Sequence, residues 1–217
     1  MLVAAGLAEV GGLGAAYAWR AIALLVAGAI VLVLGLNAHR PHRHFGAANQ
    51  LTLIRATLVA LLLAMIGESH VPAAFAFGMA VVAASIDAAD GRVARGNGLT
   101  SAYGARFDME TDALLILALS VLLWQDGTVG AWVLASGALR YVFLVALVLV
   151  PRLNAPLAPS RRRQTFAVVQ VVSLLVAFAP FTPSPVANLA AAAGLAGLLL
   201  SFGIDVRATW RAGGSAA

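Results

Sequence analysis

Apolar residues fill this chain in long blocks, each ended by a short polar break, with no strand-like alternation inside them. A block of about 20 residues, coiled as a helix, matches the hydrocarbon thickness of a bilayer. Lipid offers backbone groups no water, so a span is either a helix or part of a closed barrel, and the non-alternating pattern selects helices. Seven spans follow, at roughly 18–37, 50–67, 71–93, 105–124, 129–151, 164–181 and 186–204. Residues 1–17 are apolar but short, interrupted by Glu9 and paired glycines. They read as a half-inserted or interfacial helix, or as the start of an eighth span; a leader peptide would carry a positively charged start that is missing here.

Composition agrees with this pattern. Hydrophobic residues make up 62% of the 217 and charged residues 11%, with a mean hydropathy of +0.94. A soluble domain of this length would need far more polar surface. The expected fold class is therefore all-α, a polytopic integral membrane helical bundle. Cysteine is absent, which excludes disulfides and thiol chemistry. With four histidines, three of them in the basic collar His39, His42 and His44, a zinc site is not expected.

Every basic residue is arginine, and the arginines orient the spans. Arg40 and Arg43 precede the second span, Arg92, Arg95 and Arg106 lie between the third and fourth, Arg152 and Arg161–Arg163 between the fifth and sixth, and Arg207 and Arg211 follow the last. The alternate loops GESHVP, WQDGTVG and PFTPSP carry none. The positive-inside rule then puts the 87–113 side in the cytosol. The net charge of +5 suits an anionic leaflet and anionic substrates. It is spread over short loops, so no nucleic-acid partner is expected.

The stretch DAADGRVARGNGLTSAYGARFDMETDA, residues 87–113, holds five of the nine acidic residues. Asp87 and Asp90 are three apart near the end of the third span, and Asp108 and Asp112 four apart near the start of the fourth, so each pair shares a helix face. Glu110 falls on another face. Four carboxylates on facing sides of two helices repel unless neutralised. Arginine is one means; hard divalent cations, which take oxygen ligands, are a better one. The expectation is a site for one or two ions of the Mg²⁺ type, with Mn²⁺ as an alternative. Gly91, Gly96, Gly98 and Gly104 let backbone approach a ligand, and Arg92, Arg95 and Arg106 offer donors to phosphate. Together they suggest a diphosphate bound through metal.

The same residues, Asp87, Asp90-Gly91, Ala94-Arg95, Gly104, Asp108 and Asp112, read D-x2-D-G-x2-A-R-x8-G-x3-D-x3-D. This resembles the signature of the CDP-alcohol phosphotransferases at all eight positions. Upstream, ANQLTLIR at 48–55 is similar to the family's P-N-x-L-T-x-x-R: Asn49, Leu51, Thr52 and Arg55 match, and Ala48 stands where proline is usual. The resemblance implies a six-helix core over residues 47–217, preceded by an extra N-terminal helix and basic linker within 1–46. It implies transfer of the phosphatidyl group of CDP-diacylglycerol to a small polar alcohol, releasing CMP. Asp87, Asp90, Asp108 and Asp112 would surround the metal, with Asp112 also the general base. Asn49, Thr52, Asp87, Gly91, Ala94, Arg95 and Gly104 would hold the CDP group.

The acceptor is less legible. Arg140 sits in the middle of the fifth span, where a charge is costly, and Arg161, Arg162 and Arg163 open the sixth. With Arg55 they form a candidate acceptor-phosphate clamp, favouring glycerol 3-phosphate over an unphosphorylated or inositol-type alcohol. The competing class is an organic-anion transporter, since charges within a helical bundle also mark transport paths; a catalytically dead scaffold is opposed by the intact Asp set. The expected setting is a bacterial inner (plasma) membrane, with membrane lipids as partners, the site facing the cytosol, and a homodimer compatible with the sequence.

Overall fold

The computed structural model describes residues 13–38, 47–97, 102–150 and 160–214, without the side chains of 36–38, 47–48, 87–97, 102 and 211–214. Among the described residues the protein is all-helical, as a helical membrane bundle requires. Seven α-helices run α1 (Ala15–Ala38), α2 (Ala47–Ala64), α3 (Ala73–Asn97), α4 (Ala102–Gln125), α5 (Leu134–Leu149, after a 3₁₀ turn at Ala131–Val133), α6 (Arg161–Phe178) and α7 (Ser184–Gly214). Each expected span is one of these helices. The third outruns its expected end at about 93: α3 continues to Asn97, so Gly96 also has helical backbone.

Local chemistry sets the helix ends. Gly67 and Gly127 adopt φ +83° and +74° just beyond α2 and α4, a left-handed conformation that glycine accepts without steric penalty. Pro72 precedes α3, and Pro185 stands in the first turn of α7, where its missing N–H removes no helical hydrogen bond.

Among the described residues, three helical stretches are long and apolar enough to cross a membrane, Ala15–Gly35, Ala131–Leu149 and Ser184–Trp210. By sequence, the last turns of α3 carry Asp87, Asp90, Arg92 and Arg95. Large apolar side chains such as Trp19, Val31, Leu34, Val148 and Leu189 point outward, which suits a lipid surround and would be an aggregation liability in water.

The chain divides into two compact units, Met1–Leu122 and Leu123–Ala217. In the first, α1 packs on α2 and α2 on α3, around Tyr17, Ala21, Leu62, Met65 and Ala80, all fully buried. Arg20, at the start of α1, departs from the arginine pattern because it lies at the non-cytosolic end of the expected topology. Its charge is neutralised locally: Nη2 pairs with Glu68 and Nη1 donates to the Ile66 carbonyl, while Glu68 Oε2 accepts from the Gly14 N–H at 3.1 Å.

In the second unit, α6 and α7 pack over most of their length. Two glycines of α7 permit the approach. A Cβ at Gly194 would stand 2.8 Å from both Gln170 Oε1 and Ser173 Cβ, and one at Gly197 would stand 2.9 Å from the Phe166 ring. Gly28 of α1 has nothing within 4 Å of such an atom. Gly194→Ala should therefore lose about 1–3 kcal/mol to overpacking, read as a lower unfolding midpoint in detergent. Gly28→Ala should show no fall, and equal midpoints in the two variants would contradict the close approach.

Candidate active site

The buried stripe of α2 runs Thr52, Arg55, Val59, Leu62, the three- and four-residue spacing of a helix face turned to its neighbours. One of those positions holds an arginine where an aliphatic would be ordinary. On α4 the buried residues Leu115, Leu119 and Leu122 continue backwards at the same spacing to Asp112 and Asp108. These two faces meet. Arg55 Nη1 donates to Asp108 Oδ1 at 2.6 Å, and Nη2 donates to Asp112 Oδ1. The convergence of both aspartates on one guanidinium shows that they share a face, as their four-residue spacing demands.

Exposure is asymmetric. The Arg55 side chain is 1% exposed, and those of Asp108 and Asp112 are 42% and 33% exposed. Arginine does not lose its proton in proteins, so a buried one must be paired. The two carboxylates supply that pairing from their dry side and keep an open side. Two carboxylates face one guanidinium here, and both are partly exposed, so a cation or a donor can reach them. Arg55, which the sequence offers to an acceptor anion, is buried here and paired with both aspartates.

The remaining candidates fall in several places. Asn49 is half-buried and Thr52 buried near the start of α2, about two turns and one turn before Arg55 respectively. Gly104 lies in the first turn of α4, one turn before Asp108. Asp87, Asp90, Gly91, Ala94 and Arg95 all lie on the last turns of α3; their side chains are outside the described set. In the second unit, Arg140 is half-buried on α5 and Arg161 is exposed at the start of α6. Arg163 is half-buried and engaged in an interaction of its own. Arg162 is taken: Nη2 pairs with Asp205 of α7 and Nη1 donates to the Ser201 carbonyl at 3.3 Å.

Sequence reasoning overlooked Asp205 and the Arg20–Glu68 pair. The signal was present. A solitary carboxylate in the apolar segment SFGIDVR, or an arginine opening a span on the non-cytosolic side, needs a partner.

The CDP-alcohol phosphatidyltransferase family model matches residues 45–202. The chain belongs to this family. The matched stretch takes in α2 to α6 and most of α7, so the Arg55–Asp108–Asp112 cluster lies wholly inside it and α1 wholly outside. No match to a curated protein or to a solved structure was found. Membership makes the protein a membrane transferase of the CDP-alcohol class. Asp108 and Asp112 are hard oxygen donors, one turn apart, partly open and already gathered around a positive charge, which fits a hard divalent cation. Among the described residues no group of three or more potential metal ligands assembles; a fuller set would draw on Asp87 and Asp90.

Removing Arg55 tests the electrostatics. Breaking a buried pair costs roughly 3–5 kcal/mol, and the partial exposure of both aspartates points to the lower end. Arg55→Met should lower the unfolding midpoint in EDTA, and adding Asp108→Asn and Asp112→Asn to it should restore much of the loss. A triple variant no more stable than the single one would contradict the charge argument.

Proposed function

We propose that this protein transfers the phosphatidyl group of CDP-diacylglycerol to the hydroxyl of a small polar alcohol at the cytosolic face of the membrane, releasing CMP. The observation that carries the reading is the placement of Asp108 and Asp112 on one face of α4, around buried Arg55, inside a stretch with the complete eight-position motif of the family. Asp87, Asp90, Asp108 and Asp112 would hold one or two divalent cations, Mg²⁺ or Mn²⁺, whose charge would offset that of the diphosphate. Asn49, Thr52, Gly91, Ala94, Arg95 and Gly104 would line the CDP group.

The chemistry asked of the chain itself is modest. A hydroxyl is a weak nucleophile, and Asp112 would accept its proton as the oxygen attacks the phosphorus bearing the lipid. The bond from that phosphorus to the bridging oxygen breaks, and CMP leaves with both electrons. Arg95 would stabilise the charge that grows on the leaving phosphate. Arg55, which holds Asp112 from its dry side, keeps that carboxylate aimed. No nucleophilic side chain of the protein is needed.

A phosphorylated acceptor, glycerol 3-phosphate first among them, is favoured by Arg140, Arg161, Arg162 and Arg163, of which Arg162 also pairs with Asp205. Purified protein given CDP-diacylglycerol, a divalent cation and a panel of alcohols should release CMP with glycerol 3-phosphate and not with inositol or serine. EDTA should abolish release. Release unaffected by EDTA would remove the metal from the account, and no release with any alcohol would point to an anion transporter instead.

Asp112→Asn keeps the shape of the side chain and removes its basicity. Turnover should fall by roughly 10²-fold or more, the usual contribution of a general base. Glu110→Gln, two residues past Asp108 and on another face of α4, should stay within a few-fold of the parent. An equal loss in both variants would contradict the helical phase assigned to α4.

A further inference from the structure

The helix outside the family-matched stretch touches the catalytic one. Tyr103, in the first turn of α4, donates its hydroxyl to the Leu32 carbonyl of α1 at 3.1 Å. The contact depends on a glycine: a Cβ at Gly35 would stand 3.1 Å from that hydroxyl and closer still to the ring. The Tyr103 ring also stacks on Phe107, with centroids 6.3 Å apart and planes at 19°. Tyr103 precedes Gly104, and Phe107 precedes Asp108.

At its other end α1 is fixed to the turn after α2, through Arg20 with Glu68 and Ile66 and through the Gly14 N–H to Glu68. The same α2 carries Arg55, which holds Asp108 and Asp112. Thus α1 is tied at one end to the helix bearing the cation and at the other to the helix bearing the carboxylates. Asp108 is five residues, about 7.5 Å along the axis, from the Tyr103 anchor. A turn or slide of α4 at Tyr103 therefore moves Gly104, Asp108 and Asp112 together relative to Arg55.

The structure assigns α1 the role of a strut that sets the position of the CDP-binding end of α4, with Tyr103 as its positioning residue and Gly35 as the gap that admits the ring. This rests on the reading of Gly104 and the aspartates as the CDP and metal site. Tyr103 touches no reacting atom; it acts through the register of α4.

The test uses the full chain in detergent or nanodiscs, with the variants Tyr103→Phe, Gly35→Ala, Tyr103→Leu and the Gly35→Ala/Tyr103→Leu pair. Two readouts are taken: KM and kcat for CDP-diacylglycerol, and hydrogen exchange of the amides of residues 106–112. Tyr103→Phe should raise KM roughly three- to tenfold, the fold-change equivalent to one neutral hydrogen bond. Its kcat should stay within about twofold, the mark of lost positioning rather than lost chemistry. Gly35→Ala should raise KM and amide exchange further in the parent, and should be silent once Tyr103 is leucine. Unchanged KM and exchange in Tyr103→Phe and Gly35→Ala would overturn the strut, as would a Gly35→Ala effect of the same size with and without the tyrosine. If the parent releases no CMP, the proposed function fails and the exchange pattern alone decides the strut.

Discussion

One buried guanidinium organises the first unit. Arg55 cannot shed its charge and cannot reach water, so the fold must bring carboxylates to it. It does so with Asp108 and Asp112, residues that would otherwise repel each other across a single helical turn. The interaction joins α2 to the start of α4, fixes the rotation of α4, and leaves both carboxylates partly exposed on a common front. Each partner makes the other tolerable in an apolar setting. The cost of burying the arginine and the cost of crowding the aspartates are offset by one contact.

Among the described residues, three stretches qualify as membrane spans on length and hydropathy, in α1, α5 and α7. Of these, α1 carries no signature residue. Its apolar outer face suits lipid, and its polar contacts are confined to its two ends. In α2, α3 and α4 the polar positions cluster toward the ends that carry the motif. Charge is held where it is paired or near the membrane surface, and hydropathy is kept elsewhere.

Much of this was legible in the sequence. Apolar blocks located all seven helices, because a bilayer imposes both their length and their helical form. The four-residue spacing placed Asp108 and Asp112 on one face without any structure. The partner of that face was not legible, since Arg55 is more than fifty residues away and pairing at such range depends on packing. The upstream motif marks Arg55 as notable, but its burial is invisible in the sequence. The end of α3 runs about four residues past its expected position, through Gly96, because glycine tolerates a helix interior at a cost of only about 1 kcal/mol. The pairs Arg20–Glu68 and Arg162–Asp205 had a readable half each, an isolated charge against an apolar background, but nothing local named the other half.

The central claim is that CDP and a divalent cation meet on the open side of the Asp108–Asp112 pair while Arg55 holds the dry side. The most direct measurement is the anomalous scattering of Mn²⁺ in crystals of the protein grown with CDP. The account predicts Mn²⁺ within coordination distance of Asp108 and Asp112, with the diphosphate beside it and Arg55 still buried behind both carboxylates. Mn²⁺ and CDP bound together at a place that includes neither aspartate would contradict it.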